Sequence, residues 1–244
     1  MIFAFTSELE VELNNIDKMF QQGLQAWWED LTSLLERLQS DTSLQIMPAV
    51  VVLAYKYLDS DEKLSVSMAS LFKTLYFANL VHNQVKDEEE GQLYNQDLQF
   101  SILIGDYIFG RVLKLLLEVG AVQVLDSLAL MMCRINEGLV LEHKLGEPPA
   151  EVMERGNASI YATAFLTAAR LKGLGPEAIN LYEQLGHNVG MALELLIAGM
   201  STQAQHYIER SAQLIVKFKA ATGFTHGCLD KFLQELSGNR LSVN

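Results

Sequence analysis

Long stretches of the chain carry apolar residues with the 3.6-residue period of an amphipathic helix. Four of them read LFKTLYFANLVHNQV, SILIGDYIFGRVLKLLLEVG, VLDSLALMMCRINEGLVLEHKL and AINLYEQLGHNVGMALELLIAGM. Each is long enough to cross a domain. Several are apolar on more than one face, which predicts helices at the centre of a bundle. Punctuation falls where helix ends are expected. Asp59-Ser60-Asp61 predicts a capped helix start, and Gly146 to Pro149 (GEPP) predicts a loop. Gly173 and Gly175 end one helix, and Pro176 suits the first turn of the next. Strand-type alternation is scarce, and no linker rich in Pro, Gly or Ser divides the 244 residues. The pattern predicts a single all-α domain over residues 1–244.

Composition narrows the function classes. The formal net charge of −12 leaves no basic face to displace counterions, so nucleic acid is not an expected partner. The same charge disfavours an anionic membrane surface. Cys133 and Cys228 lie far apart, without a CxxC pair, which predicts neither a disulfide framework nor a zinc site and fits a reducing cytoplasm. MIFAFTSELEVELNN lacks the basic start and long apolar core of a signal peptide. No apolar run is read as reaching the roughly 18 residues of a membrane span, so no stable membrane insertion is expected.

The densest charge lies in LVHNQVKDEEEG, Leu80 to Gly91. Asp87 and Glu90 stand at i, i+3 and could share a helix face. Asp87, Glu88 and Glu90 are the candidates for holding Mg²⁺, which takes oxygen ligands, usually with substrate phosphates. The competing reading is a solvated helix end. The five histidines show no metal-ligand spacing, and His82, on an apolar face, reads as a core or helix-cap histidine. Gly105 and Gly110 form no phosphate loop; in GDYIFGRVL they predict close helix packing. Met131, Met132, Met191 and Met200 read as core filler, although some could line a pocket for a greasy ligand.

Six segments, in order, resemble the trans-polyprenyl diphosphate synthases. LYFANLVHNQVKDE stands where that family has roughly IHxASLVHDDVxDE. LIGDYIFGRVLKLLLEVG resembles LAGDxLLxxALxLL, INEGLVLE resembles EGExxQ, and IYATAFLTAARLKG resembles the KTAxLxxAA helix. LGHNVGMALELL is similar to the helix leading into GxxLGxAFQIxDD, and LQIMPAVVVLAYKYL to the GKRLRPxLxxLA helix. The likeness covers about residues 40 to 215. It implies an all-α, isoprenoid-synthase-like bundle of long antiparallel helices around a central cavity. It also implies condensation of isopentenyl diphosphate with an allylic diphosphate, whose leaving charge is clamped by Mg²⁺ on two Asp clusters and by Lys and Arg.

Position by position, the resemblance also implies that this clamp is lost. The Lys and Arg holding isopentenyl diphosphate become Leu44 and Met47, with Gln45 between them, and Pro48 survives. The histidine of the next helix becomes Tyr76. In the first metal motif the leading aspartates become Asn83 and Gln84, and Asp87 remains. The following Arg pair falls at Gln92 and Leu93. The Lys of KT becomes Ala162, beside a surviving Thr163. In the second motif the Gln becomes Glu194 and the aspartates become Ile197, Ala198 and Ser201. No catalytic residue and no bound metal are therefore expected. The resemblance is to the small, non-catalytic subunit of heteromeric long-chain synthases. The expected partner is a catalytic synthase subunit, or a second copy, with a polyprenyl chain as a possible ligand. Phe109, Leu113 and Leu116 are the candidate cavity wall or interface. Two alternatives stay open: a divergent prenyltransferase using Mg²⁺ on Asp87, Glu88 and Glu90, and a homodimeric lipid-binding module.

Overall fold

Helix caps written into the sequence set the frame. The structure, a computed structural model, describes residues 4–38, 40–83, 96–140 and 149–238. Among these residues there is no strand. The helices are α1 (Ala4–Ser7), α2 (Glu10–Leu24), α3 (Trp28–Leu38), α4 (Thr42–Tyr57), α5 (Glu62–Asn83), α6 (Gln96–Glu118), α7 (Leu125–Val140), α8 (Pro149–Arg155), α9 (Asn157–Leu171), α10 (Pro176–Ile197), α11 (Ser201–Thr222) and α12 (Cys228–Gly238). Asp41 caps α4, its Oδ1 accepting the Leu44 N–H at 2.7 Å. Asp61 does the same for α5 through Leu64 N–H at 2.8 Å, as the Asp59-Ser60-Asp61 signal predicts. Gly175 and Pro176 open α10. Pro149 of the expected GEPP loop is instead the first residue of α8, a position that tolerates its missing N–H; the rest of GEPP lies outside the described residues.

α4, α5, α9 and α10 form the centre, with α2 and α6 against α5, α7 against α8 and α9, α11 against α10, and α12 against α4 and α11. On α4 only Thr42, Gln45 and Lys56 escape burial. Such a helix is held by packing on all sides rather than by one apolar stripe. Tyr182 anchors one end of the core: its ring lies 4.8 Å from Phe165 and 4.7 Å from Phe218, and its hydroxyl donates to the Ala54 carbonyl at 2.6 Å. α9 and α10 approach most closely at two glycines. A Cβ on Gly186 would sit 2.7 Å from Phe165 Cβ and from the Tyr161 carbonyl oxygen, and one on Gly190 would sit 2.8 Å from the Tyr161 ring.

Four expectations need correction. α5 does contain a stretch, Glu62–Val81, long and apolar enough by composition to cross a membrane; 83% of its apolar window is buried inside the bundle, where a core helix also satisfies that test. α6 is not enclosed on all sides. Ile104, Ile108, Val112 and Leu116 are buried, whereas Leu103, Leu113 and Leu117 face solvent. Gly110, expected to allow close packing, has no atom within 4 Å of where its Cβ would be; Gly105 is buried. Of the methionines, Met131 and Met191 are core residues, Met132 is half-buried and Met200 is exposed.

Candidate functional site

Four central helices bring one polar cluster together inside the apolar bundle. Ser43 comes from the first turn of α4, Tyr76 from α5, Asn157 and Tyr161 from the start of α9, and Glu194 from α10. The Glu194 side chain is at the centre, in a residue only 6% exposed. Its Oε1 accepts the Ser43 hydroxyl at 2.9 Å and its Oε2 accepts the Asn157 amide at 2.8 Å. Both donors sit at helix N-termini, where the macrodipole favours a negative group. The Tyr76 hydroxyl lies 3.3 Å from each Asp41 carboxylate oxygen. The Tyr161 hydroxyl, in a residue 1% exposed, is buried without a hydrogen-bond partner.

The electrostatics follow from burial. Loss of hydration pushes the Glu194 carboxyl above its usual range, against the lowering effect of the Asn157 and Ser43 hydrogen bonds; the Asp41 charge pushes the same way as burial. Burial also raises the Tyr161 and Tyr76 phenols, and the Glu194 and Asp41 charges raise them further. Among the described residues no Lys or Arg forms an ion pair with Asp41 or Glu194. The cluster therefore offers two carboxyl groups, three hydroxyls and an amide, and no fixed positive charge. A diphosphate placed here would be desolvated beside two acidic groups without a counter-charge, at an effective cost of several kcal/mol. The same oxygens could accept from a neutral donor or a cation.

The residues singled out from sequence divide into four groups. Leu44, Met47, Tyr76, Ala162, Thr163 and Glu194 are all buried on the four helices that carry the cluster. Ile197 closes α10 half-buried, and Ala198 and Ser201 are exposed where the chain turns through Gly199 into α11. Leu116 is in the core, Phe109 is half-buried, and Leu113 is 48% exposed. Leu113 therefore faces solvent on α6. Gln84, Asp87, Glu88, Glu90, Gln92 and Leu93 lie outside the described residues, as do the side chains of His82 and Asn83. Among the described residues no group of three or more His, Cys, Asp or Glu could hold a metal ion. Sequence reasoning missed Asp41, Ser43, Asn157 and Tyr161 as members of one site. The Asp41 capping signal and the polar atoms interrupting the apolar run IYATAFL were the available clues.

No protein-family model matches the chain. Curated relatives do. Octaprenyl diphosphate synthase of Escherichia coli (strain K12) is 25% identical over 209 residues, which cover 75% of this chain and 65% of the relative. Heptaprenyl diphosphate synthase component 2 of Geobacillus stearothermophilus is 23% identical over 205 residues, covering 79% and 64%. The chain thus spans slightly less than two thirds of these relatives' length. Among solved structures, polyprenyl synthase from Caulobacter crescentus CB15, complexed with calcium and isoprenyl diphosphate, matches with a TM-score of 0.71 at 19% identity, over 96% of each chain.

Proposed function

Because this chain belongs by sequence and fold with the trans-polyprenyl diphosphate synthases, we propose that it is a non-catalytic subunit of such a synthase. In this reading it regulates a catalytic partner or sets its product length, in cytoplasmic isoprenoid or quinone side-chain biosynthesis. The Glu194 cluster carries the reading. Where substrate diphosphate needs cations, the chain puts a buried carboxylate bonded to Ser43 and Asn157, with Tyr76 and Tyr161 around it. At the end of α10, Ile197 and Ala198 offer no oxygen ligand from their side chains, and the Ser201 hydroxyl is a poor substitute for a carboxylate. These residues do not fit a Mg²⁺ clamp. The relative named as component 2 of a heptaprenyl diphosphate synthase supports a role inside a multi-component enzyme. The solvent-facing side of α6, including Leu113, is the surface this reading gives to the partner.

Co-expression with a synthase from the same genome that keeps both aspartate-rich motifs tests the reading. The two chains are expected to co-purify, and the product chain-length distribution of the synthase is expected to shift. A synthase that neither binds this chain nor changes its product length would overturn it.

A further inference from the structure

We propose that the Glu194 cluster binds a primary ammonium group, held by the Glu194 and Asp41 carboxylates and the Tyr161 hydroxyl. The inference rests on the reading above, in which this site has no cations of its own, and adds what supplies the missing charge. Glu194 uses two of its roughly four acceptor positions, on Ser43 at 2.9 Å and Asn157 at 2.8 Å. Asp41 accepts the Leu44 N–H at 2.7 Å and the Tyr76 hydroxyl at 3.3 Å, a long bond. Burial and both carboxylate charges raise the Tyr76 phenol, so the two acids share one neighbourhood. No Lys or Arg forms an ion pair with either among the described residues. The Glu194 and Asp41 charges also reach the Tyr161 phenol. Its hydroxyl has no partner, in a residue 1% exposed. A buried hydroxyl left unpaired is costly.

An ammonium group answers each of these needs. Its three N–H donors match three oxygen acceptors, one each on Glu194, Asp41 and Tyr161, and its charge offsets the buried acids. Other occupants fit less well. A neutral donor leaves the carboxylates without a counter-charge. Mg²⁺ demands near-octahedral oxygen coordination with several retained waters. Among the described residues no group of three or more His, Cys, Asp or Glu could hold a metal ion. A quaternary ammonium has no N–H to offer the oxygens. Access follows from burial. Ser43, Tyr76, Tyr161 and Glu194 are buried, whereas Asp41, just before α4, is half-buried. The ammonium head therefore enters past Asp41, and the rest of a small primary amine lies on that side.

Isothermal titration calorimetry of the full chain with n-butylammonium chloride, at constant ionic strength, tests it. Saturable binding at one site per chain is expected, at least tenfold tighter than that of tetramethylammonium or potassium. Glu194→Gln and Asp41→Asn each remove a carboxylate charge while keeping an oxygen, and asparagine still caps α4. Each is expected to weaken binding at least tenfold with undiminished helical circular dichroism. Tyr161→Phe is expected to weaken binding several-fold without lowering the urea midpoint of the free chain, since its hydroxyl has no partner there. Absence of saturable binding, equal binding of tetramethylammonium or potassium, or full affinity in Glu194→Gln would overturn the inference. None of these outcomes bears on whether a synthase co-purifies with the chain, so the two readings fail separately.

Discussion

Gly186→Ala is expected to cost about 3 kcal/mol of folding stability, at the upper end of the usual overpacking range. The added methyl would arrive 2.7 Å from Phe165 Cβ and Cγ and from the Tyr161 carbonyl oxygen. Two of these are the root of a core side chain and a backbone atom, neither of which can swing aside. α9 and α10 would have to separate along their shared face. Alanine's better helix propensity returns only about 1 kcal/mol, so the steric effect wins. Urea unfolding followed by circular dichroism reads the change as a lower midpoint at unchanged slope. A midpoint equal to the wild type would mean that the two helices are not packed through Gly186.

Glu194→Ala is expected to cost about 3 kcal/mol as well, by a different route. It strands the buried Ser43 hydroxyl and the half-buried Asn157 amide and leaves a void, each a recognised source of loss. Glu194→Gln should be far milder, because the amide keeps an oxygen for one donor and no charge is buried. The two variants also separate in their pH dependence. The folded-state affinity of Glu194 for a proton is raised above its ordinary value of 4.5, so between 4.5 and the raised value the folded chain binds more protons than the unfolded one. Stability from this group is therefore full below 4.5 and declines as pH rises through the folded value. Comparing urea midpoints from pH 4 to pH 8, Glu194→Gln should lose less stability than the wild type as pH rises. Parallel pH profiles for the two would remove Glu194 from the account as a buried, titrating acid.

Much of the fold was legible because its determinants are local. Asp41 and Asp61 announce helix starts within three residues of the groups they cap, and the apolar period of α5 and α10 names their buried positions. The site was legible only in part. Position along the chain drew attention to Tyr76 and Glu194, but the partner of Glu194 is Ser43, 151 residues away. No periodicity reveals which polar residue in an apolar run will find which other. α6 shows a second limit. Its sequence is apolar on several sides, as a central helix should be, yet Leu103, Leu113 and Leu117 have no cover from their own chain. Periodicity tells which face is apolar and leaves open whether the same molecule or another buries it.

The proposed reading pairs a synthase-like fold with a Glu194 cluster that has no Lys or Arg ion pair among the described residues. Incubating the purified chain alone with Mg²⁺, isopentenyl diphosphate and an allylic diphosphate tests it most directly. No prenyl product above the protein-free control is expected. Sustained turnover by the chain on its own would contradict it.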